Sequence, residues 1–123
     1  MKIRIKGNSI RYRLDKVDVE LLETVGKVES VTHIGAGVLH FCVRSKEISD
    51  PVIKMEHSSI HLLIPAEKLS VWYAPDQVGF ELVLPNEDGS DIKLLIEKDF
   101  QCLTARDEDD SQAFENPNAG KNC

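Results

Sequence analysis

The stretch Lys2-Ile3-Arg4-Ile5-Lys6-Gly7-Asn8-Ser9-Ile10-Arg11-Tyr12-Arg13-Leu14 decides how this chain is read. Ile3 and Ile5, then Ile10, Tyr12 and Leu14, alternate with Lys2, Arg4, Lys6, Arg11 and Arg13. A period of two with β-branched and aromatic residues on one side is the pattern of half-buried strands. Between the two runs stands Gly7-Asn8, and both residues tolerate positive φ, so the runs form a hairpin. Successive side chains of a strand point to opposite faces. The hairpin therefore offers an apolar face to a core and gathers Lys2, Arg4, Lys6, Arg11 and Arg13 on the other.

The pattern then changes. Asp15 reads as a helix N-cap with Asp18 three residues on, and Val17, Leu21, Leu22 and Val25 make a helical stripe that Gly26 stops. From Lys27 the chain returns to strand, with Val28, Val31 and Ile34 leading to the turn Gly35-Ala36-Gly37. Leu39, Phe41 and Val43 then alternate with His40, Cys42 and Arg44. Residues 52–64 read as one more extended stretch, broken near Met55-Glu56, with Ile60, Leu62 and Ile64 opposing His57, Ser59 and His61. Pro65 suits the first turn of a short helix over residues 67–73, from which Trp72 and Tyr73 cover the core. A last hairpin pairs Phe80, Leu82 and Leu84 with Ile92, Leu94 and Ile96 across Asn86-Glu87-Asp88-Gly89. No internal repeat of fixed period is legible. The sum predicts a single α+β domain over residues 1–106, with six or seven mostly antiparallel strands in a strongly curved or closed sheet and two short helices. Residues 107–123 open on four consecutive acids and continue rich in Asn, Gly and Pro, which predicts a partly disordered acidic tail that Phe114 pins down.

At 123 residues and 41% apolar composition, one core is the natural capacity. No apolar run approaches the ~18 residues of a membrane helix, and the amino terminus lacks a secretory h-region, so a cytoplasmic location is expected. Cys42, Cys102 and Cys123 are odd in number and far apart, which predicts reduced thiols rather than a disulfide framework. The net charge of −6 argues against general nucleic-acid binding. That charge is uneven: residues 1–16 carry six bases and one acid, whereas residues 107–123 carry five acids and one base.

The basic face of the first hairpin is the leading candidate site. Close cations repel by up to about 1 kcal/mol per pair in water, so a counter-charge is expected. Arginine forks suit phosphate or carboxylate. The face therefore reads as a binding surface for a small anionic ligand or an acidic protein segment, with Arg4, Arg11 and Arg13 central and Lys2 and Lys6 at the edge. Neutralisation from within, by Glu81, Glu97 or the tail, is the competing reading. No metal or other cofactor is called for. The one metal set weighed is cross-strand, His40 and Cys42 with His57 or His61, because His57 and His61 lie roughly 13 Å apart in an extended strand and cannot share an ion. Self-association through strand edges or the basic patch makes a homo-oligomer the third reading.

Two resemblances bear on this. Met1-Lys2-Ile3-Arg4-Ile5-Lys6-Gly7-Asn8, Trp72 with Asp76-Gln77-Val78-Gly79-Phe80, and Glu97-Lys98-Asp99-Phe100-Gln101-Cys102-Leu103 with Arg106 resemble a family of small bacterial proteins of unknown function, over nearly the whole chain. That resemblance implies no functional residue. More loosely, antiparallel strands with inward Lys and Arg resemble the triphosphate-tunnel enzymes, which implies a phosphate ester or anhydride hydrolase as an alternative to a non-enzymatic binding domain. The opening strand departs from their pattern, with Lys2, Arg4 and Lys6 where those enzymes alternate glutamates to hold metal.

Overall fold

The computed structural model describes residues 1–100 and residue 114. The predicted hairpin is present: β1 (Lys2–Lys6) pairs antiparallel with β2 (Ser9–Leu14), setting Arg4 opposite Arg11. Helix α1 (Lys16–Thr24) follows, closed at its start by a reciprocal capping box. Asp15 accepts from the Asp18 N–H at 2.9 Å and Asp18 accepts from the Asp15 N–H at 3.0 Å. The Asp18 bond holds the Asp15 carboxyl below the usual carboxylate range. The buried stripe differs from the predicted one: Leu22 is buried and Val19 packs against the core, while Val17, Leu21 and Val25 are exposed. Val19 and Leu22, three apart, share the face turned to the core; Val17, two residues before Val19, points away from it, and Val25 lies past the helix end at the C-cap.

The chain continues through β3 (Lys27–Ile34), β4 (Gly37–Lys46), β5 (Val52–Glu56), β6 (Ser59–Pro65), α2 (Ala66–Trp72), β7 (Gly79–Pro85) and β8 (Asp91–Lys98). Among the described residues eight strands replace the six or seven expected, because residues 52–64 fold back on themselves. His57 adopts φ 54° in a two-residue turn, so β5 and β6 form a hairpin in place of one broken strand. Pro65 closes β6 and caps α2 from outside its first turn.

The sheet is neither single nor closed. The strands form two open four-stranded sheets, ordered β1-β2-β8-β7 and β3-β4-β6-β5. Four of the neighbouring pairs are antiparallel, and β2 with β8 and β4 with β6 are parallel. The two orders expose a repeat that the sequence conceals. The run β1-β2-α1-β3-β4 is followed by β5-β6-α2-β7-β8, and exchanging the runs converts one sheet order into the other. Gly7 at φ 56° and His57 at φ 54° occupy equivalent turns, and Ser9-Ile10 corresponds to Ser59-Ile60. Each sheet thus takes one hairpin from each half of the chain.

One apolar cluster joins both sheets and both helices: Tyr12, Leu14, Leu94 and Ile96 from the first sheet, Phe41, Val43, Leu62 and Ile64 from the second, and Leu22, Leu69 and Trp72 from the helices. Tyr12 meets Phe41 edge to face at 6.5 Å. The Tyr12 hydroxyl is buried without a hydrogen-bond partner among the described residues, and burial raises its pKa. An orphaned buried hydroxyl costs about 1–3 kcal/mol. Tyr12→Phe is therefore expected to raise stability by about 1 kcal/mol, seen as a higher urea midpoint; a lower midpoint would show that the hydroxyl is bonded. No helix among the described residues is long and apolar enough to cross a membrane. The predicted tail, Phe114 apart, and the 100–106 end of the predicted domain beyond Phe100 lie outside the described residues, as do Cys102 and Cys123.

Candidate functional site

Alternation fixes the orientation of β2. Ile10, Tyr12 and Leu14 are buried, which turns Arg11 and Arg13 to the outer face of the first sheet, away from the core. This corrects the tunnel-like expectation: both sheets are open, and the arginines of β2 line no lumen. Parallel pairing of β2 with β8 sets Arg13 opposite Glu97 and Arg11 opposite Leu95. The Glu97 carboxylate consequently lies between the two guanidinium groups. Its Oε1 accepts a close bond from the Arg11 Nε and faces the Arg13 Nε at 3.4 Å. Lys2 at the edge of β1 pairs with Asp99 at 2.9 Å, just beyond the end of β8.

Of the two acids weighed as internal partners, Glu97 takes the role. Glu81 sits on β7, one strand farther out, and pairs with Lys93 at 3.5 Å. Lys2, Ile3, Arg4, Arg11 and Arg13 line a shallow cavity of about 200 Å³. Lys6 is exposed beyond it. Four of the five predicted anion-site residues thus share one concave patch, with Glu97 as a resident counter-ion.

The outer face of the second sheet carries the predicted histidine set. Register places Cys42 between Glu29 on β3 and His61 on β6. His40 bridges three strands: its Nε2 lies 3.2 Å from Glu29 Oε2 and its Nδ1 3.1 Å from Ser59 Oγ. A carboxylate only accepts, so the pairing with Glu29 favours the tautomer with hydrogen on Nε2 and leaves Nδ1 to accept the Ser59 hydroxyl proton. Lys27, bonded to Glu29 at 2.9 Å, and then His40 hold the Glu29 carboxyl below the usual range. Burial pushes the Cys42 thiol up, against the opposing influence of Arg44.

The metal set does not assemble. His57 lies in the β5–β6 turn, the ring beside His40 is that of His61 at 5.8 Å, and among the described residues no group of three His, Cys, Asp or Glu is placed to hold an ion. Glu29 escaped the sequence reading. Its only signal is the alternation Lys27-Val28-Glu29, which places it on the polar face of β3.

A second cavity, of about 700 Å³, lies between α2, β7 and the connection after β4, with Val71, Trp72, Phe80, Leu82, Ile48 and Pro51 among its walls. Trp72 meets Phe80 edge to face at 5.8 Å, and Lys68 stands 5.0 Å from the Phe80 ring centre.

These features define an open two-sheet α+β domain with an arginine-lined outer face. The chain belongs to DUF7009, a family of unknown function, whose model matches residues 1–118. No curated protein and no solved structure matches the chain.

Proposed function

We propose that the protein is a binding module that takes an anionic group, best a phosphorylated small molecule, on the outer face of the first sheet. The observation that carries this reading is the cavity lined by Lys2, Ile3, Arg4, Arg11 and Arg13, two of whose arginines are held by Glu97. Guanidinium groups offer planar pairs of N–H donors that match phosphate oxygens, and a phosphate carries more charge than the carboxylate it would displace. Glu97 serves as a placeholder: it keeps the arginines in position in the free protein and yields them to a stronger anion.

Titration with inorganic phosphate and short-chain polyphosphate, followed by amide NMR at low salt, tests this. Amides of residues 2–13 are expected to shift, and the shifts are expected to weaken as salt screens the face. Glu97→Gln is expected to tighten phosphate binding about fivefold to tenfold, since removing a charged competitor is worth about 1 kcal/mol or more. Absence of any shift in residues 2–13 would end the proposal. Turnover of a phosphate ester with magnesium, lost in Arg4→Ala/Arg11→Ala, would make the face an active site instead.

A further inference from the structure

The edge of β7 differs from the other three strand edges. Natural sheets guard open edges with charge. β1 carries Lys2, Arg4 and Lys6, β3 carries Lys27 and Glu29, and β5 carries Lys54 and Glu56. β7, Gly79-Phe80-Glu81-Leu82-Val83-Leu84-Pro85, carries Glu81 alone. The phase of its hydrogen bonding is fixed at both ends, because the Lys98 N–H donates to the Val78 carbonyl at 3.0 Å and the Asn86 N–H to the Ser90 carbonyl at 2.7 Å. In an antiparallel ladder bonded pairs recur every second residue. Phe80, Leu82 and Leu84 therefore bond to β8, while Gly79, Glu81 and Val83 turn their N–H and C=O groups to the open edge.

The 700 Å³ cavity meets β7 at Gly79, Phe80 and Leu82, with α2 and the connection carrying Ile48 and Pro51 as its other walls. An unpaired strand edge next to an apolar, helix-walled groove is the geometry that accepts an added strand. We infer that this groove binds an extended peptide as a fifth strand of the first sheet, with apolar side chains at alternate positions entering between Phe80, Leu82 and Val71. The side chains between them fall on the outer face beside Glu81, which is half exposed and is met on its β8 side by Lys93 at 3.5 Å. Charge complementarity there calls for Lys or Arg. The occupant is thus an alternating apolar and basic segment of a partner protein. The chain's own run Asp107-Glu108-Asp109-Asp110 has the wrong sign.

The probe is a capped seven-residue peptide alternating valine and lysine, added to the full chain. Amide exchange at Gly79, Glu81 and Val83 is expected to slow at least tenfold, with Phe80 and Leu82 little changed because they are already bonded. Val83→Pro removes an outward N–H and no bond to β8, so it is expected to abolish the protection with the fold retained. Should that variant not fold, Glu81→Lys is expected to weaken binding about fivefold, the value of one cross-strand charge pair. Equal binding of a peptide with its valines and lysines in separate blocks would overturn the inference. So would edge protection without peptide that rises with protein concentration, which would assign the edge to a second copy, or no protection at any peptide concentration.

Discussion

Replacing Lys98 by methionine is expected to lower stability by about 3 kcal/mol, an unusually large loss for a lysine. Lys98 leaves the end of β8 and reaches back to the α2–β7 connection, where its Nζ donates to the Ala74 carbonyl at 2.9 Å and the Gln77 carbonyl at 2.8 Å. The same ammonium stands 5.6 Å from the centre of the Trp72 ring. The Trp72 indole N–H is itself committed to the Val78 carbonyl at 3.3 Å, so one cation gathers the loop, the helix end and the strand start. Hydrogen bonds to a charged group contribute about 1.5–3 kcal/mol each, and removal takes a donor from both carbonyls, of which Ala74 keeps the Gln77 N–H at 3.0 Å. Methionine keeps the length and apolar stem of the side chain, which isolates the charge. Guanidinium unfolding of the variant measures the loss, and faster amide exchange at Gln77 and Val78 would locate it. A loss below 1 kcal/mol would mean that solvent serves those carbonyls equally well.

The second large effect is expected at Gly79, where alanine should cost about 2–3 kcal/mol and lower the melting temperature by roughly 10 °C or more. A Cβ built there would lie 2.6 Å from the Ile96 carbonyl oxygen and 3.1 Å from the Glu97 Cα. Both obstacles are backbone, which cannot swing aside like the tip of a long side chain. Gly79 is also the register partner of Glu97, so the shift that relieves the clash displaces the carboxylate held by Arg11 and Arg13. Thermal unfolding and the phosphate titration should therefore change together in Gly79→Ala. A variant with wild-type stability would deny the close approach of β7 to β8.

Local signals carried the sequence reading as far as local physics reaches. Gly7-Asn8, the Asp15 cap and the alternation of Ile10, Tyr12 and Leu14 each act within a few residues, and each prediction holds in the structure. The β5–β6 turn was illegible because His57, which lacks the conformational freedom of the glycine in the equivalent first turn, takes the positive φ. The two halves share a pattern of alternation but few identities: Arg11 corresponds to His61 and Arg13 to Leu63, so the repeat leaves no charge signature. Side-chain parity foretold the outward turn of Arg11 and Arg13. Which acid answers them depends on β8 lying beside β2, a pairing of strands more than eighty residues apart that no local pattern encodes. The same holds for the open sheets, since closure is a property of edges rather than of any one strand.

The exchange of hairpins between halves also sets an order of events during synthesis. Ser9 finds its partner in Lys93 and Arg13 in Glu97, near the last described residues. A ribosome releases the amino-terminal hairpin long before β8 exists, and pairings so distant in sequence close late. The nascent chain therefore presents its arginines without their carboxylate until β8 has emerged. The face with Glu97 and Asp99 seated among its cations comes into being only when β8 arrives, so any encounter with nucleic acid or other polyanions on the ribosome takes place in a different electrostatic state from that of the folded protein.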